Sequence, residues 1–172
     1  PLLGMIGAAA FTVLIIWLFR KSHPASANKK FKLLQLVSAS LYSIGHGTND
    51  AQKTMGVVAL TLFSAGIKSS FEIDHWVVIS CYSAITLGTF FGGWRIVKTI
   101  GTRITKIRAM EGFCAETSSA IVLLFTAHLG IPVSTTHVIA GSIMGVGSVE
   151  HARSVRWVIA RRILWAWILT IP

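Results

Sequence analysis

The chain has 172 residues, 53% of them hydrophobic and only 13% charged, with 16 Lys and Arg against 6 Asp and Glu for a formal charge of +10. A soluble domain carries about 25% charged residues, so these proportions, with a mean hydropathy of +0.67, exclude an ordinary cytosolic enzyme and a disordered tail. Two cysteines exclude a disulfide scaffold, and basic groups without interleaved aromatic residues set nucleic acid aside as a partner.

In chain order, Leu2 to Phe19 holds no charged residue and reads as a transmembrane helix, since a hydrocarbon core takes about 20 apolar residues per helical span. Residues 20–32 form a basic loop. Residues 33–67 are too many for one straight span and too few for two with a loop. They read as a broken transmembrane helix, interrupted by the polar, glycine-rich stretch 45–56. Residues 68–75, with Glu72 and Asp74, form an external loop, and 76–94 return across the bilayer with Trp76 and Trp94 as interfacial anchors.

Residues 95–111 read as an amphipathic helix on the cytoplasmic surface, with Ile96, Val97, Ile100, Ile104 and Ile107 on one face and Arg95, Lys98, Arg103 and Lys106 on the other. Residues 112–147 start and end beside basic segments, and the leg Val138 to Val146 is too short for a span. A re-entrant hairpin with its tip at 129–137 meets both constraints. Residues 148–162 are a basic segment, and 163–172 the start of a further transmembrane helix. Fourteen of the sixteen Lys and Arg fall in 20–32, 95–108 and 153–162, so the positive-inside rule places these groups in the cytoplasm, beneath a multi-pass cell (inner) membrane protein. Both ends read as cut from a longer chain. The expected fold class is therefore all-α, polytopic transmembrane helices with a broken helix and a re-entrant helical hairpin.

Irregular backbone at membrane depth survives only where it lines a cavity or is buried in protein, so the two polar breaks are expected to form a site. A half-helix starting near Ala51 behind Asn49 or Asp50, and another near Thr136 behind Ser134 or Thr135, would each aim free N–H groups and about half a positive charge at the centre. Asn49, Ser134, Thr135 and Thr136 add donors without formal charge, which suits a small oxyanion. Asp50 and Glu116 are carboxylates at membrane depth, costly and usually functional there, and beside an anion they require a cation, Na⁺ or a proton. Mutual enhancement of two bound ions is the basis of symport. Lys53 offers Asp50 a structural partner, Glu116 also suits a helix N-terminus, and His46 and His137 read as hydrogen-bonding histidines. Two rival readings are a channel with the hairpin tip as selectivity filter and an intramembrane metalloenzyme built on His46, Asp50 and His137. The second lacks an evident nucleophile and water path, so no resident metal and no enzyme activity are expected.

Gly45-His-Gly-Thr-Asn-Asp-Ala-Gln-Lys-Thr-Met-Gly56, Gly112-Phe-Cys-Ala-Glu-Thr117 and Gly130-Ile-Pro-Val-Ser-Thr-Thr-His137 together resemble the inorganic phosphate transporter (PiT) family, in the form of the C-terminal repeat of bacterial-type members. The resemblance runs from about Ser38 to Pro172. It implies half of an inverted-repeat secondary transporter, with the partner N-terminal repeat of the same protein absent and a homodimer compatible with what is present. It also implies symport of inorganic phosphate with Na⁺ or H⁺, or of a divalent metal–phosphate complex as substrate, and no cofactor. Thr48, Asn49, Ser134, Thr135 and Thr136 would then bind phosphate, and Asp50 and Glu116 the coupling ion. His46, Gln52, Lys53 and His137 would support them.

Overall fold

The computed structural model describes residues 1–21, 23–103, 107–150, 155, 157–158, 160–161 and 164–165, and at 24–26, 95–103 and 150 the backbone alone. Among the described residues the chain forms five α-helices and no strand: α1 (Leu2–Phe19), α2 (Pro24–Ser64), α3 (His75–Arg103), α4 (Ala109–His128) and α5 (Thr135–Glu150). The most extensive packing joins α2 to α4 and α1 to α5; α4 also packs on α5 and α1, while α3 lies chiefly against α2. By length and composition α1 and residues His75–Trp94 of α3 are each apolar and long enough to cross a membrane.

α1 buries Gly4, Ala8, Thr12 and Ile15, one seam at helical spacing, and turns Leu3, Ile6, Val13, Leu14, Trp17 and Leu18 outward. That distribution fits a helix in lipid, where large side chains gain nothing by leaving the hydrocarbon and small ones let backbones approach. A Cβ on Gly4 would lie 2.6 Å from the Val138 carbonyl oxygen and 2.9 Å from Ser142 Oγ. Across the same seam Gly141 and Gly145 lie against the backbone of Pro1 and Met5. Ser142 Oγ donates to the Gly4 carbonyl at 3.1 Å and receives Ser119 Oγ at 2.9 Å, which ties α1, α4 and α5 at one buried point. Toward the other end of α1, Phe19 and Phe31 pack with rings tilted by 56° and centroids 4.9 Å apart, and Phe113 lies 5.8 Å, centroid to centroid, from both Phe11 and Phe31.

Three expectations are corrected. First, α2 is one helix of 41 residues, about 60 Å long, and passes through 45–56 without interruption. Each mid-helix glycine costs about 1 kcal/mol relative to alanine, less than packing against α4 returns. Gly45 faces Leu123 and Leu124 closely, and Asn49 Nδ2 donates back to the Gly45 carbonyl at 3.2 Å rather than opening the turn. Second, the loop of 20–32 is far shorter, because α2 starts at Pro24, whose fixed φ and missing N–H suit a first helical position. Third, residues 95–103 continue α3 instead of starting a separate surface helix, since the apolar period carries over past Trp94. Residues 104–106 and most of the expected basic segment and final helix, 151–172, lie outside the described residues.

Between α2 and α3 the chain turns through Gly66 at φ +70°. Lys68 pairs with Asp74, whose other oxygen accepts the Trp76 indole N–H at 3.1 Å. The Lys68 hydrogen bond holds the Asp74 carboxyl below the usual aspartate range. α3 seats Val77, Val78, Cys81 and Ile85 against Ala51, Met55, Val58 and Leu62 of α2.

Candidate functional site

α4 ends at His128, and the turn passes through Gly130 at φ +68°, a left-handed conformation that glycine adopts without steric cost. Ile131, Pro132 and Val133 follow, and Ser134 caps α5: its Oγ accepts the His137 N–H at 3.4 Å. The helix begins at Thr135, so the outermost part of the predicted tip, 129–134, is turn, while 135–137 form the first helical turn. This helix start lies one residue before the one expected near Thr136. The second N-terminus expected near Ala51 does not exist, because α2 is continuous there, and its positive end is missing from the site.

The hairpin turn and the polar stretch of α2 meet. Thr135, 3% exposed, donates through Oγ1 to Asp50 Oδ2 at 3.4 Å, across a separation of 85 residues. Lys53 Nζ donates to the Val133 carbonyl and to Asp50 Oδ1, the latter at 3.2 Å. His46 Nδ1 lies 3.5 Å from Asp50 Oδ2 without a hydrogen bond to it, and its ring stacks on Tyr42 with centroids 6.0 Å apart. Asp50 thus sits half-exposed among a cation, a hydroxyl and an imidazole.

Asn49 points elsewhere. It is 2% exposed, and its Nδ2 donates to the Leu123 carbonyl of α4 at 2.9 Å as well as to Gly45. Both amide hydrogens are engaged, so what it retains is an acceptor oxygen, which suits a cation or a structural joint better than a phosphate. Asn49→Leu is expected to destabilise the full-length protein by about 1–3 kcal/mol, the usual cost of stranding buried polar groups. Thermal unfolding in detergent checks this, and an unchanged midpoint would contradict the joint. Thr48 and Gln52 are four apart on one flank of α2, turned from Asn49 by roughly 100° and 60° at 100° per residue. Gln52 is exposed, as are Ser134 and Thr136, while His137 is half-buried in the first turn of α5.

Glu116 is separated from this cluster. Its Oε2 accepts the hydroxyl of Ser38 at 2.7 Å, with Gln35 also hydrogen-bonded to it. Ser38 precedes Asp50 by twelve residues, about 18 Å of helical rise. Sequence reasoning grouped the two carboxylates and missed Gln35, Ser38 and Tyr42. The signal was present: residues 38, 42, 46 and 50 recur at i, i+4 on one face of a continuous helix, legible only once the helix is known not to break. Among the described residues no three His, Cys, Asp or Glu side chains gather as a metal-binding set.

The pattern that defines the phosphate transporter family matches residues 6–172. A Rhizobium meliloti (strain 1021) protein named a probable low-affinity inorganic phosphate transporter is 53% identical over 173 residues, covering all of this chain and 52% of its own length. A Bacillus subtilis (strain 168) protein of the same name is 39% identical, again over all of this chain and 52% of its own length. A solved structure described as the sodium-dependent phosphate transporter superposes with a TM-score of 0.76 at 29% identity, over 93% of this chain and 42% of the other. The chain therefore spans about half the length of the curated relatives it matches.

Proposed function

This chain belongs to the phosphate transporter family, and from that premise we propose that the full protein carries inorganic phosphate across the membrane by symport with Na⁺ or H⁺. The observation that carries the reading is the Thr135–Asp50 contact, which joins the N-terminal end of α5 to the polar stretch of α2. Phosphate oxygens would meet the free N–H groups of α5 and the hydroxyls of Ser134, Thr135 and Thr136, where the helix end contributes roughly half a positive charge. Thr48 would approach from the flank of α2, supported by Gln52 and His137. The coupling cation would lie at Asp50 Oδ2, beside Thr135 Oγ1 and His46, so that anion and cation each raise the other's affinity. Asn49 holds α2 to α4 beneath this pocket. Glu116, with Ser38, would form a second cation station along α2 rather than part of the same pocket.

The partner half of the protein would close the site, and the hairpin would enter the bilayer without crossing it. Basic segments would lie on the cytoplasmic side of the inner membrane, as the positive-inside rule requires. Family membership favours a carrier over a channel. Labelled phosphate uptake by the full-length protein in liposomes, with Na⁺ and pH gradients imposed separately and divalent metal varied, is expected to saturate and to accelerate with one inward cation gradient. Flux that rises linearly with phosphate and ignores both gradients would overturn symport. A strict requirement for divalent metal would identify a metal–phosphate complex as the cargo.

A further inference from the structure

The ammonium of Lys53 bridges oxygens from two different elements, Asp50 Oδ1 on its own helix and the Val133 carbonyl in the hairpin turn. A carboxylate oxygen and a backbone carbonyl are the ligand types that hold small hard cations, and transporters coordinate their coupling ions with such carbonyls. Asp50 therefore presents two sides. Oδ1 is filled by a charge tethered to the chain, while Oδ2 faces the Thr135 hydroxyl at 3.4 Å and His46 Nδ1 at 3.5 Å.

We propose that Lys53 replaces one coupling cation, so that each phosphate travels with one mobile cation fewer than the same pocket would need without the lysine. The proposal rests on the symport reading above and adds its stoichiometry. A lysine ammonium is a compact point charge with three donors on a flexible stem. Two of its hydrogens satisfy Asp50 and Val133, and the third is available to a phosphate oxygen. Unlike a free ion, it cannot dissociate into either compartment, so it neutralises Asp50 without contributing to the driving gradient. The same bridge fastens the hairpin turn to α2 across 80 residues, holding Thr135 over Asp50. Removing the ammonium would leave Oδ1 and the Val133 carbonyl facing each other as two acceptors, a vacancy of the right chemistry for a free cation.

The experiment uses full-length protein in liposomes and reads the charge moved per phosphate from the membrane potential at which net labelled phosphate flux stops. Lys53→Gln is expected to raise that charge by one relative to wild type, and Lys53→Arg to leave it unchanged. Lys53→Met keeps the stem and removes only the charge, and gives the same reading should the glutamine variant not fold. A charge per phosphate equal to wild type in the neutral variants overturns the proposal. If the folded neutral variants carry no flux, methylammonium in the medium is expected to restore it, and failure to do so also overturns the proposal. Absence of phosphate flux in wild type would instead sink the symport reading itself, so the two failures are distinguishable.

Discussion

Asp50→Asn in the full-length protein is expected to lower cation-driven phosphate uptake about tenfold to a hundredfold while leaving phosphate binding intact or tighter. The substitution preserves shape and removes one negative charge. Hydrogen bonds to charged groups contribute about 1.5–3 kcal/mol, and each 1.4 kcal/mol is a factor of ten. What is lost is the carboxylate facing Lys53 at 3.2 Å and Thr135 at 3.4 Å, and with it the proposed site for the mobile cation on Oδ2. What remains, with no coupling cation bound, is a site more positive than in wild type, with Lys53 no longer neutralised and the N-terminal end of α5 unchanged. Binding and transport should therefore separate: phosphate affinity measured calorimetrically without the coupling cation holds or rises, while its enhancement by the cation and gradient-driven uptake both fall. Undiminished uptake would show that the coupling ion does not use this carboxylate, and lost binding would mean that Asp50 organises the phosphate site instead.

Gly145→Val is expected to destabilise the protein by about 3 kcal/mol or more, near the upper end for overpacking a filled interior. A Cβ at this position would collide with the backbone carbonyl of Met5, which cannot move as a flexible side chain can. α1 and α5 would have to separate, taking with them the Ser142–Gly4 and Ser119–Ser142 hydrogen bonds. Gly56→Ala is the contrast, because among the described residues nothing lies within 4 Å of its Cβ. There the gain in helix propensity, about 1 kcal/mol, should appear as a raised unfolding temperature in detergent. A loss at Gly56 would mark a contact made by residues other than those described, and equal effects at the two positions would contradict close packing of α1 on α5.

The α1–α5 seam was itself readable, since Gly141-x-x-x-Gly145 is a spacing that brings helices into backbone contact. Apolar composition, helical architecture and a turn at Gly130 were legible, because each depends on local composition or on one residue's backbone freedom. Residue type alone narrowed the cap of α5 to Ser134 or Thr135, and the structure gives it to Ser134. By contrast, Gly45 to Lys53 carries local signals against helix, and those signals were outweighed by α4, which covers Gly45 and gives the Asn49 amide a carbonyl at 2.9 Å. The boundary of α3 moved for a related reason: a polar face does not end a helix when the apolar period continues.

By itself the sequence determined the apolar, all-helical class of this chain and where its polar stretches lie, since those follow from polarity and backbone preference residue by residue. Only the tertiary structure decided that α2 stays whole, that Asp50 meets Thr135 and Lys53 reaches Val133, and that Glu116 belongs with Ser38 instead. Contacts across about 80 residues depend on how helices pack, and packing energy, which no local pattern contains, is large enough to override a glycine or an asparagine.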